Sequence, residues 1–304
     1  MAKILITGGS GLLGKKISEL LILQNHTPVW LSRQPKTDSP IQQFKWDIDK
    51  KFIDPKAFEN VDTVIHLAGE GIIDKPWTTE RKKELLDSRV KSSELLYKSL
   101  IKSNTQLNAF VGCSAVGFYG ATTSQEIRTE LSSAGNDFLA DTCVHWENSY
   151  NSFINANIRT SIIRVGIVLS NDAGAYQKMY KPFKFGFGSG VASGKQYFPW
   201  IHINDVANLF LYAALNKSMF GIFNAVASPT PTNKQFSEAL SVSFNHKLML
   251  PNVPKFLVKL ALGERAITLT EGLQISNEKI KSQGFKFEFD DLPKALLNLA
   301  SNAK

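Results

Sequence analysis

Gly8, Gly11 and Gly14 follow a short apolar run, Lys3-Ile4-Leu5-Ile6-Thr7, and lead into KKISELLILQ, whose apolar residues recur at helical spacing. A strand, a glycine turn and a helix in that order can hold a pyrophosphate. Gly8 and Gly11 take the angles of a tight turn and let main-chain N–H groups close on the anion; Gly14 lets the helix pack on the strand. The helix N-terminus then faces the negative charge. Thr7, Gly8, Ser10, Gly11, Leu12 and Leu13 would line such a turn. A second apolar strand, TPVWLSR, follows the helix, which is the context a dinucleotide-binding turn requires.

The end of that second strand bears on the choice of dinucleotide. An acidic side chain there would bond the adenosine ribose and favour NAD; this chain carries Ser32-Arg33, whose guanidinium would accept a 2′-phosphate. NADP is therefore expected, the competing reading of Arg33 being an ordinary surface arginine. FKWDI and DTVIHLAGEG read as third and fourth strands. Asp47 closes the third, as an adenine contact or as a solvated loop residue. Leu67-Ala68-Gly69 ends the fourth with residues that admit a close backbone approach, and His66 before them reads as a packed core histidine.

Ser114 follows the apolar run AFVGC, so it stands at the carboxyl end of a further strand, where open α/β sheets bind ligands. Stepping through the remaining elements, strands alternate with helical stretches as far as SIIRVGIVL, the pattern of an α/β Rossmann-type doubly wound parallel sheet. From about residue 229, PTPTNKQF and PNVPKFLVKLALGE open further helices. This gives a core over 1–228, with a substrate-side loop over about 171–202, and a smaller C-terminal substrate lobe over 229–304. The glycine-rich FGFGSGVASG reads as a mobile loop able to close on a ligand.

The 304 residues can bury a sizeable core, and hydrophobic and charged fractions of 43% and 20% are those of a globular protein. The net charge of +8 rests on dispersed lysines, seven of the 35 basic residues being arginine, and no basic run or nucleic-acid signature accompanies it. Two cysteines and five scattered histidines do not make a metal site of the usual kind. Cys113 and Cys143 read as reduced thiols of a cytoplasmic protein, no stretch approaches the ~20 apolar residues that cross a bilayer, and monomer and homodimer both stay open.

TGGSGLLG, HLAG and FPWIHINDVA resemble motifs of the extended short-chain dehydrogenase/reductase superfamily. More narrowly, HLAGEGI, PWTTERKKELLDSRV, CSAVGFYG, FLADTCVHWE, IIRVGIVLS and GFKFEFDDLPKALLNL are similar to an atypical, nucleoside-diphosphate-sugar epimerase-like group, and the likeness covers essentially the whole chain. The resemblance implies that Ser114 bonds the reacting oxygen of the substrate. It implies too that Leu139 and Cys143 stand where a tyrosine and a lysine would exchange the proton and hold the ribose. A leucine has no proton to give, and a thiol near pKa 8.5 replaces neither partner well.

Three groups could substitute: Glu70 beside the nicotinamide as acid or base, Tyr119 on the loop after Ser114, or simply as a packing aromatic, and Cys143 as a weak donor or a filler. By the same resemblance Arg89 contacts cofactor or forms an internal salt bridge, and Cys113, Gly166 and Val168 border the nicotinamide. Trp77, Trp200 and His202 flank the substrate or belong to the core. The expected function is NADP-dependent hydride exchange with a carbonyl or alcohol, the substrate a small molecule such as a nucleotide sugar; the alternative is a non-catalytic NADP(H)-binding sensor.

Overall fold

The computed structural model describes residues 1–303. The strands are β1 (Lys3–Thr7), β2 (Thr27–Ser32), β3 (Gln43–Asp47), β4 (Phe52–Ile53), β5 (Thr63–His66), β6 (Ala109–Ala115), β7 (Ser124–Arg128), β8 (Arg159–Val165), β9 (Ile167–Leu169), β10 (Trp200–His202), β11 (Gly221–Ala225) and β12 (Leu273–Ile275). Eight of them form one sheet in the order β11-β8-β6-β5-β1-β2-β3-β4. All neighbours run parallel except the short β4, which turns back on β3. The chain departs from β1 first to one side, through β2, and then to the other, through β5, so a crevice opens at the carboxyl ends of β1 and β5.

Alternation along each strand sends side chains to two separate cores. Ile4, Ile6, Ile65 and Val111 meet α1 (Leu12–Leu23) on one face, together with the helix Ile203–Leu215. Leu5, Val64 and Phe110 meet α2 (Thr79–Ser103) and α3 (Phe138–Asn148) on the other. Phe110 stacks on Phe153 at 3.9 Å between ring centroids. Both faces of the sheet are thus covered, which explains why its strands read as nearly continuous apolar runs.

The C-terminal segment is stitched to the core. β12 pairs in parallel with β7, and Asp205, on the helix Ile203–Leu215, accepts main-chain hydrogen bonds from Glu288 and Phe289 at 2.7 and 2.9 Å. A third buried cluster joins Tyr176, Phe198, Trp200 and Phe236 to Phe289, Leu296 and Leu299 of the C-terminal region. Among the described residues, no helix is long and apolar enough to cross a membrane.

Candidate active site

The turn after β1 is shaped so that added side chains would collide. Gly8 has φ +70°, and a Cβ there would lie 3.2 Å from the Leu67 carbonyl carbon. One on Gly14 would fall 2.4 Å from the Gly8 oxygen. Gly9 lies against the indole of Trp30, whose Nε1 donates to Ser18 Oγ at 2.8 Å; Ser18 in turn donates to the Gly14 carbonyl at 2.7 Å. Gly11 opens α1 without a side-chain cap, while Ser10 stays exposed and Leu12 and Leu13 lie half-buried. Uncapped N–H groups at a helix start, under a turn with no room for Cβ atoms, fit the pyrophosphate of a dinucleotide.

Thr7 binds this turn to the one after β5. Its buried Oγ1 accepts from the main-chain N–H groups of Leu67 and Ala68, each at 3.1 Å, and therefore donates its own proton to His66 Nδ1 at 2.8 Å. The other ring nitrogen of His66 meets Ser92 Oγ, whose hydrogen goes to the Arg89 carbonyl. His66 is thus a neutral structural group, and burial lowers its pKa to about 3. Gly69 follows, with a virtual Cβ 3.2 Å from the Arg89 guanidinium carbon.

Arg33, 76% exposed, stands beyond β2 with Nη1 3.3 Å from Glu70 Oε1. The second oxygen of Glu70 faces Arg81 Nη1 at 3.8 Å, and Lys45 Nζ bonds the Arg33 carbonyl. Asp47, at the end of β3, accepts from the main-chain N–H of Lys50 at 3.0 Å. Glu70 thus stands between two arginines, Arg33 and Arg81.

A cleft of about 380 Å³ continues from the glycine turn between β6, α3 and the C-terminal segment. Leu12, Ala115, Gly117, Leu139, Cys143, Gly166 and Val168 line it. Leu139 and Cys143, one helical turn apart on α3, face Gly117, whose virtual Cβ would lie 3.5 Å from Leu139 Cβ and 3.8 Å from Cys143 Sγ. A Cβ on Gly166 would sit 2.7 Å from the Pro199 oxygen. Cys143 is 5% exposed, and burial pushes its thiol up to about 12, so it is a poor proton donor. Cys113 packs between the two main core clusters.

Arg89 is the buried cation of this wall. Its guanidinium rests 4.8 Å over the Trp146 ring and donates to the carbonyls of Leu85 and Glu70 at 2.9 and 3.0 Å. No acidic side chain is among the partners of Arg89. Burial lowers its pKa, and main-chain oxygens hold it in the cleft lining.

Ser114 and Tyr119 are both bonded within the wall. Ser114 is 1% exposed, and its hydroxyl donates to Glu147 Oε1 at 2.6 Å. Glu147 is clasped by Arg164, with Nε to Oε1 and Nη2 to Oε2 both at 2.8 Å. Tyr119, also buried, donates to Asn224 Oδ1 at 2.7 Å and accepts from Arg164 Nη1 at 3.0 Å; burial raises its pKa. Strand alternation is the cause: of the two neighbours at the end of β6, Ala115 borders the cleft and Ser114 points into the interior.

The expected substrate residues divide likewise. Trp77 stands at the mouth, bonded to the Ile72 carbonyl at 2.7 Å and edge-on to Phe138. Trp200 is wholly buried in the third core cluster, and His202 accepts from Asn204 N at 3.2 Å as the cap of its helix while lying 4.0 Å from the Phe289 ring. Both serve packing, because β10 pairs with β9 and is covered by the C-terminal region. Asp137 was missed from sequence: it caps α3 through Leu139 N and Ala140 N and bonds Ala121 N, fixing the helix against the loop after β6. The Asp two residues before Leu139 carried that signal. Tyr197 was missed too; half-buried, it lines the cleft, and its hydroxyl bonds no protein group among the described residues.

Residues 4–139 match the NAD dependent epimerase/dehydratase family, and residues 253–299 match a domain of unknown function, DUF1731. An epimerase family protein of Staphylococcus aureus is 32% identical over 302 residues, covering 98% of this chain and 99% of its own. The Mus musculus epimerase family protein SDR39U1 is 30% identical, over 98% of this chain and 100% of its own. The crystal structure of human SDR39U1 with NADPH superposes with a TM-score of 0.88 at 29% identity, covering 99% of both chains. UDP-glucose 4-epimerase from Thermotoga maritima, at 15% identity and TM-score 0.79, shares the fold. With its glycine cradle, its parallel sheet and its full-length likeness to these relatives, the chain belongs to the SDR39U1-like epimerase family of extended short-chain dehydrogenase/reductases.

Proposed function

We propose that this protein is an NADP(H)-dependent oxidoreductase that exchanges hydride with a small carbonyl or alcohol substrate. The observation that carries the reading is that the Gly8–Gly14 cradle adjoins, through Leu12, a half-open cleft in which Gly117 and Gly166 bring main chain to the lining. When bound, the nicotinamide supplies the hydride chemistry. Thr7, Gly8, Ser10, Gly11, Leu12 and Leu13 hold its pyrophosphate; Arg33 takes the 2′-phosphate, with Asp47 at the adenine end; Leu67 to Gly69, Arg89, Cys113, Cys143, Gly166 and Val168 border the rest. NADPH in the human relative supports the choice of dinucleotide.

The protein's own contribution is to bind, align and dry the reactants. Ser114 and Tyr119 brace the wall, joined to it by Glu147 and Arg164, and the proton at the reacting oxygen comes through Tyr197 or water. Incubation with stereospecifically deuterated NADPH and a panel of carbonyls and sugar nucleotides tests the reading by mass analysis for transferred label. The specific commitment of Ser114 and Tyr119, beside Leu139 and Cys143, favours one competing reading, a non-catalytic NADP(H) sensor. Tight NADPH binding without label transfer to any compound would establish that reading.

A further inference from the structure

The cleft that would receive the substrate is walled by apolar side chains. Beyond the dinucleotide-facing residues, Ile72, Val116, Met179, Phe198, Ile267 and Leu273 form it. Its polar side chains are few and partly engaged: Gln196 donates to the carbonyls of Val191 and Leu269, Asn233 accepts from Val191 N through Oδ1, Thr268 donates to the Arg265 carbonyl, and Glu271 accepts from Thr123 and Lys255. The Tyr197 hydroxyl, the Asn233 amide nitrogen and the Trp146 indole N–H bond no protein group among the described residues and remain as uncharged donors. Apolar walls with one free hydroxyl suit a neutral ligand carrying a carbonyl oxygen.

Charge points the same way. Arg89 is held by two carbonyls at the α3 side. At the mouth, Lys82 is paired with Glu264 and Lys255 with Glu271, each at 2.5 Å, leaving Lys259 as the unpaired lysine of that lining. A nucleoside diphosphate brings at least two negative charges, and a mouth whose three lysines are matched by three acids offers it no net positive charge. The cleft itself is small, about 380 Å³, and the mouth of about 680 Å³ adjoins it at Ala121, Leu139, Ile267 and Glu271.

Proton supply narrows the class further. Ser114 and Tyr119 spend their protons inside the wall, and Leu139 and Cys143 offer no usable acid. A substrate suited to this cleft is one whose hydride adduct is a conjugated oxyanion, stable enough to take its proton from water or from a lone phenol.

We propose that the substrate is a neutral, apolar conjugated carbonyl, a quinone or cyclic enone, and not a nucleotide sugar. The inference rests on the oxidoreductase reading above. The reduced dinucleotide gives hydride, one proton with two electrons, to the quinone oxygen or the enone β-carbon; a quinol or enolate anion forms, water or Tyr197 adds a proton to it, and the oxidised dinucleotide leaves.

The test uses the full-length protein loaded with NADP⁺ for binding and with deuterated NADPH for transfer, and probes menadione, cyclohexenone, UDP-glucose and UDP-N-acetylglucosamine. Equilibrium dialysis is expected to show menadione retained at least tenfold more tightly than either sugar nucleotide. Deuterium is expected on the β-carbon of the cyclohexenone product, and menadione, whose O–D would exchange with water, is expected to oxidise NADPH above the protein-free rate. Ile267→Asp, a charge placed on the apolar wall, is expected to raise KM for menadione at least tenfold while NADPH affinity changes less than twofold; Val116→Asp serves if that variant does not fold. Label transfer to a sugar nucleotide instead would overturn the substrate class and leave the oxidoreductase reading standing. Bound NADPH that is oxidised by none of the four would overturn both, and menadione turnover indifferent to both wall variants would overturn the assignment to this cleft.

Discussion

Ser114 gives its hydroxyl proton to Glu147, 2.6 Å away, and the same carboxylate is gripped on both oxygens by Arg164. A serine at the end of a sheet strand has here become part of a buried ion-pair lattice. Removing one partner of such a pair strands a charge in the interior, at a cost of about 3–5 kcal/mol. Glu147→Gln and Arg164→Met should each lower the urea midpoint accordingly. Ser114→Ala should cost only about 1–2 kcal/mol and leave turnover, once a substrate is in hand, within a few-fold of wild type. A thousandfold loss of kcat on Ser114→Ala with stability intact would return that hydroxyl to the chemistry.

Arg33 and Glu70 form a loose, exposed pair at 3.3 Å that a 2′-phosphate would have to share. Arg33→Ala should weaken NADPH tenfold or more and leave NADH unaltered, since a charge-assisted contact to phosphate contributes about 1.5–3 kcal/mol. Glu70→Gln should tighten NADPH by up to about fivefold, because an exposed pair is worth no more than about 1 kcal/mol. Isothermal titration of both dinucleotides against the two variants checks both directions.

Arg89 and Cys143 border one stretch of cleft, and Arg89 already supplies its buried positive charge. Reinstating an ammonium by Cys143→Lys should destabilise the fold by about 2 kcal/mol or more through burial and like-charge repulsion. Adding Arg89→Asn should recover part of that loss, a coupling of about 1 kcal/mol measurable by a double-mutant cycle in urea. Additivity of the two changes would mean that the cations do not compete.

Acid should loosen the crevice through His66. Its folded pKa of about 3 lies below the ordinary 6.5, so the unfolded chain binds the extra proton between those values. The stabilisation is complete above pH 6.5 and is lost as the pH falls toward 3. Going from pH 7 to 5 should remove about 2 kcal/mol, seen as a lower Tm. His66→Gln should flatten that slope; an unchanged slope would place the acid sensitivity elsewhere.

The sheet and the cradle were legible because each rests on local pattern. Apolar runs of four to seven residues, a glycine at every point where a Cβ would strike main chain, and a helix beginning at Leu12 all follow from chain-local geometry. The placement of Leu139 and Cys143 on one cleft-facing helix turn was legible for the same reason. Ser114, Trp200 and His202 were not, because which of two alternating neighbours faces a cleft depends on partners far along the chain, here Glu147, Arg164 and Phe289. Glu70 pairs with two arginines, one 37 residues before it and one 11 after, and no motif announced that triangle.

One hydroxyl, that of Thr7, holds the loop after β1 and the loop after β5 at once, accepting from two amides and donating to a ring nitrogen. The two halves of the phosphate crevice are therefore mechanically a single part. Neither loop can shift to suit a different ligand without dragging the other. Any diversification of this scaffold must be borne by the remaining walls, those built from α3 and the C-terminal segment, while the Thr7 side stays as the invariant anvil against which they are shaped.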